Sequence, residues 1–132
     1  MDILQAYQGT ISAMGAMSLL LFCQLLVSDA VGIRSGHTPG ATVGTDHDNL
    51  LFRVTRTVAN SNESIAIFIL AAVFCIFAKA SPQYTAYAAW GFVFARTAYA
   101  LCYYFNIKLL RSVIFGVALI CLLSLIVLGF LA

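Results

Sequence analysis

Charge is what this chain has least of. Of its 132 residues, 9% are Asp, Glu, Lys or Arg, against about 25% in soluble domains. With 62% hydrophobic residues and a mean hydropathy of +0.96, the polar surface is too small to clothe a soluble fold. The chain reads as integral to a membrane. The formal net charge is only +2, and there is no basic patch of the kind nucleic acid requires, so nucleic acid is not an expected partner. No Lys or Arg precedes the first apolar run. A cleaved signal peptide needs a positive leading region, so the first helix is expected to be retained. The four cysteines, Cys23, Cys75, Cys102 and Cys121, all lie in apolar runs, and no two form a C-x-x-C pair. That argues against a zinc site or a disulfide framework and for small buried hydrophobes. Thiol chemistry here would use a thiol brought by a substrate.

What is present is apolar length. Four segments, at about 4–31, 50–78, 83–105 and 109–131, each approach or exceed the roughly 20 residues that span a bilayer. In lipid, such segments must be helical to satisfy their own backbone. The expectation is an all-α, integral membrane, four-helix bundle forming a single transmembrane domain over 1–132. Ala78-Lys79-Ala80-Ser81-Pro82 reads as a tight turn, because Pro82 bars a continuous helix. Asn106-Ile107-Lys108 is equally short, and short links make neighbouring helices antiparallel. The connection from Gly32 to Asp48 is long and rich in Gly, Thr, Pro and Asp, as an exposed loop is. Its His37, Asp46, His47 and Asp48 are loosely spaced and read as solvated residues, with no metal expected. One side of the membrane receives Arg34, Arg53, Arg56, Lys108 and Arg111, and the other Lys79 alone. The positive-inside rule then puts both termini on the non-cytoplasmic side of a multi-pass protein.

Polar residues interrupt these helices in stripes. Arg53, Arg56, Asn60 and Glu63 are spaced three, four and three, which is one face of a helix. The apolar stretch after Glu63 is too short to span alone, so Asn60 and Glu63 must lie below the headgroups. Ionisable groups at that depth usually face a bundle interior and mark a site. The third segment carries Arg96, Tyr99 and Tyr103, spaced three and four. At about 1.5 Å per residue, Glu63 and Arg96 both lie roughly 15 Å from the cytoplasmic side. Equal depth predicts that they pair, as buried charges must. Arg56, Asn60, Tyr99 and Tyr103 are then left as donors and acceptors, facing the cytoplasm and suited to an anionic, peptide-like ligand. Arg111 and Ser112 open the fourth helix, beside free backbone N–H groups and the positive end of its dipole. A cation there favours a thiolate over a thiol. Arg53 and Arg111 also suit headgroup anchoring, and Tyr103 an interfacial belt.

With these residues in place, the chain resembles the MAPEG family, the membrane-associated proteins of eicosanoid and glutathione metabolism, and is microsomal glutathione transferase-like. The family pattern Arg-x-x-Arg-x-x-x-Asn-x-x-Glu stands complete from Arg53 to Glu63, Arg-x-x-Tyr-x-x-x-Tyr stands as Arg96, Tyr99 and Tyr103, and Arg-Ser stands as Arg111-Ser112. The likeness covers all four segments. Thr57-Val58 replaces the Ala-His or Ala-Gln that the family often has. The resemblance implies a homotrimer in lipid, with glutathione as cosubstrate bound between protomers. It implies that Arg56, Asn60, Glu63, Tyr99 and Tyr103 hold the tripeptide, that Arg34 is a further basic contact, and that Arg111 of the adjacent subunit, with Ser112, stabilises the thiolate. The implied activity is that of a glutathione transferase or peroxidase acting on lipophilic small-molecule electrophiles, in detoxification. Two other readings stay open: a non-catalytic lipid- or glutathione-binding scaffold of the same fold, and a small transporter or proton path built on Glu63 and Arg96.

Overall fold

The computed structural model describes residues 2–132. Among them all regular structure is helical: α1 (Ile3–Ala6), α2 (Gln8–Arg34), α3 (Leu50–Phe77), α4 (Pro82–Tyr104) and α5 (Lys108–Leu131). By length and composition, α2, α3 and α5 can cross a membrane. At 23 residues, α4 is as long as a span requires, but it is more polar. Its polar groups turn inward: Thr85, Arg96, Tyr99 and Tyr103 are all buried. Accordingly α4 packs on α2, α3 and α5, as α3 packs on α2, α4 and α5.

The ends follow local chemistry. The Asn49 side chain caps α3 by accepting from the Leu51 N–H at 2.9 Å. Ser81 caps α4, with Pro82 in the first turn where no N–H is needed. At the other ends Lys79 and Asn106 take φ +59°. The amides one residue on reach back five residues, Ala80 to the Cys75 carbonyl and Ile107 to the Cys102 carbonyl. This left-handed closure satisfies the last carbonyls in two short turns.

The first apolar segment differs from expectation at both ends. It is broken at Tyr7, whose φ of −101° and ψ of 23° leave the helix while its hydroxyl donates to the Ala80 carbonyl. It also runs past Val31 to Arg34, with buried Gly32 turned toward Leu51 of α3.

The core lies between α3, α4 and α5, with Met17 and Ala13 contributed by α2. Val54, Thr57, Ser61, Phe68 and Cys75 form the buried stripe of α3 at helical spacing. Phe68 stacks on Phe92 of α4 at 4.7 Å, and Cys75 donates to the Leu125 carbonyl of α5 at 3.0 Å. Lipid is as apolar as leucine, so helices in a bilayer associate through close packing at small residues. Gly129 is such a place: a Cβ there would stand 2.5 Å from the Phe74 ring.

Candidate functional site

The polar stripes meet at one end of the molecule, where α2 and α4 finish and α3 and α5 begin. Arg56 and Glu63 are two turns apart on the same face of α3, and their side chains join at 3.0 Å. Arg96 comes from the middle of α4 and is 1% exposed. Its guanidinium lies over the Tyr99 ring at 4.4 Å. Tyr99 meets Tyr103 edge-on at 5.6 Å, and the Arg111 guanidinium covers the Tyr103 ring at 4.3 Å. Two cations thus bracket two aromatic rings, an arrangement whose attraction grows as water is excluded. The two stripes are neighbours, since Arg96, against the Tyr99 ring, reaches across to Ser61 of α3.

The pairing expected from depth does not form. Glu63 binds Arg56, and Arg96 donates to the Ser61 hydroxyl at 3.1 Å. Ser61 is only two residues from Glu63, about 3 Å of helix rise, so the level is nearly the expected one. Two residues are roughly 200° of helix rotation, however. Ser61 faces α4, whereas Glu63 faces outward with its side chain 61% exposed. Arg96 and Glu63 make no ion pair. Ser61 therefore belongs to the site although no charge or motif marked it; its sequence signal is its place on the buried stripe with Thr57 and Phe68.

Arg56, Glu63, Arg96, Tyr99, Tyr103 and Arg111 come together, all within one chain. Asn60 is buried beside them. Three expected residues stand apart. Arg34 is exposed at the last residue of α2. Arg53 is committed to the backbone, donating through Nη1 to the His47 carbonyl at 2.8 Å and through Nη2 to the Tyr104 carbonyl at 3.3 Å. Ser112 is exposed, with its hydroxyl directed at the Lys108 carbonyl of its own helix.

Many polar atoms in this region lack a protein partner: Asn60 Oδ1, Arg96 Nε, Arg111 Nη1, the Tyr104 hydroxyl and Asn106 Oδ1. A buried polar atom left unpaired costs about 1–3 kcal/mol, so the polarity gathered here is not met by the described residues alone. The set combines guanidinium donors with amide and phenol groups. It fits a ligand bearing carboxylates and peptide bonds.

A search among curated proteins returns no match. The family model of the MAPEG family matches residues 10–131, nearly the whole chain.

Proposed function

Because the chain belongs to the MAPEG family and is an integral membrane protein with three spanning-type helices, we propose that it is a membrane-bound glutathione transferase. Arg56, Asn60, Tyr99 and Tyr103 hold the tripeptide through its carboxylates and amides. Glu63 sets Arg56 in place and can accept from the tripeptide's amino group. Arg111 favours the thiolate by charge at a helix N-terminus. The thiolate sulfur attacks a lipophilic electrophile arriving from the bilayer, a carbon–sulfur bond forms, and the leaving group departs with its electron pair. With a lipid hydroperoxide the thiolate attacks the distal oxygen, the O–O bond breaks, and the alcohol leaves after protonation. A second glutathione then yields the disulfide and water. The functional unit in this reading is a homotrimer of four-helix protomers, with both termini non-cytoplasmic and the polar end facing the cytoplasm. Glu63, turned out from its own bundle, suits a site completed by a second protomer.

The observation that carries this proposal is the run of stacked cations and rings from Arg96 through Tyr99 and Tyr103 to Arg111 at a helix N-terminus. The test is glutathione titration of detergent-purified protein, following ultraviolet thiolate absorbance, with turnover of a chloronitrobenzene alongside. Thiolate formation and turnover support the enzyme. Binding without thiolate or turnover replaces it with the non-catalytic binding protein, a reading favoured by the commitment of the Ser112 hydroxyl to its own helix.

A further inference from the structure

Beside the stripes, on the other flank of Arg56, the α2–α3 connection folds back over the two helix ends. Local bonds shape it, the His37 amide donating to the Gly32 carbonyl at 2.9 Å and the Ala41 amide to the Thr38 carbonyl at 3.1 Å, and Arg53 ties it to α3 through the His47 carbonyl at 2.8 Å. His37 Nε2 lies 3.0 Å from the Ala41 carbonyl. Under this strap is a cavity of about 680 Å³, within the range of small-molecule sites. Its walls are mainly apolar, with Ile33 from α2, Val43 from the strap, and Leu51 and Phe52 from α3. Asp29 and Arg56 border it.

The charges at this border do not cancel. Arg56 is already neutralised by Glu63 at 3.0 Å. The Thr55 hydroxyl is engaged with the Leu51 and Phe52 carbonyls. Asp29 has no ion-pair partner among the described residues. His37 also lines the cavity, with its Nε2 at the Ala41 carbonyl and no ion pair to Asp29, so the cavity offers an apolar chamber with one unpaired carboxylate at its edge.

We infer that this cavity is a second ligand site, adjoining the tripeptide stripes at Arg56, that takes a small amphiphilic amine: an apolar body under the strap and a cationic head on Asp29. A carboxylate-bearing ligand is disfavoured by the same charge. The inference does not rest on the transferase reading, and its test uses no glutathione.

The probe is dansylcadaverine, an aromatic body linked to a primary amine, titrated into the purified full chain in nonionic detergent and followed by its emission. The comparison ligand is the dansyl pentylamide, which has the same body and no amine. Saturable binding of the amine is expected, weakened about tenfold by Asp29→Asn, as for loss of one charge-assisted hydrogen bond. Asp29→Glu should restore it. Asp29 is exposed, so these variants leave the fold intact. Val43→Trp, which fills the chamber, should weaken the amine and the amide alike. Equal affinity for amine and amide, or an unchanged Asp29→Asn, overturns the role of the carboxylate. Unchanged binding in Val43→Trp overturns the location.

Discussion

The two ends of this molecule are built on opposite principles. From the end where α3 turns into α4 to the middle of the bundle, aromatic and small residues interlock: Phe68 on Phe92, Phe74 against Gly129, Cys75 on the Leu125 carbonyl. At the loop end, the same helices bury Asn60 and Arg96 and half-bury Arg111, and leave atoms of each without a partner. Van der Waals contact closes the first end. The second is held by a few directional contacts and keeps donors and acceptors in reserve. The closed end also leaves the Thr10 and Thr85 hydroxyls unpartnered, but the unpartnered guanidinium groups gather at the loop end, and ionisable groups at such depth mark the working surface.

The sharpest way to break this comparison is at the closed end. Phe68→Ala, at a site with no exposure, should lower stability by about 3–5 kcal/mol, read by thermal unfolding in detergent. Whatever fraction still folds should bind glutathione normally; selective loss of binding would blur the two ends into one. At the loop end the effect should be the reverse. Arg111→Ala should cut turnover about 10²-fold, as for loss of one preorganised charge at a reacting centre. The melting temperature should barely change, and Arg56→Ala should act on KM more than on kcat.

A subtler variant sits between the regions. Ser61→Ala removes the hydroxyl that Arg96 holds at 3.1 Å and leaves a buried guanidinium on an aromatic face alone. The expected loss is about 1–3 kcal/mol, measured by denaturation and accompanied by weaker glutathione binding. Least costly to the fold is Glu63→Gln. Its pair with Arg56 is 35% and 61% exposed, and such pairs contribute about 0–1 kcal/mol. Combined with Arg96→Gln its effect should add, because the two residues do not touch; strong coupling in that cycle would restore the pairing expected from depth.

The sequence made the helical class legible, because apolar runs near bilayer length admit little else, and Pro82 punctuates the chain where α4 begins. It made the polar stripes legible for the same reason: a three-and-four spacing survives any detail of packing. Rotation about the helix axis was not legible. Depth counting sets a level to within a turn, but which of Ser61 or Glu63 meets Arg96 depends on how α3 rolls against α4, and that is set by apolar packing such as Phe68 on Phe92, which carries no charge to read. The break at Tyr7 was hidden as well, since its cause is a hydroxyl–carbonyl bond to Ala80, more than seventy residues along the chain. The role of Arg53 was equally non-local, because a guanidinium at a membrane boundary looks the same from sequence whether it meets phosphates or carbonyls.

That role has a dynamic consequence. Arg53 grips the strap at His47 and the last turn of α4 at Tyr104 with one planar group. Lifting the strap therefore loosens the helix end that carries Tyr103, and steadying that helix end holds the strap down. Amide exchange near positions 47 and 104 should consequently rise and fall together, as a single opening unit with one relaxation time. A molecule lodged under the strap would be sensed at the tyrosines without touching them.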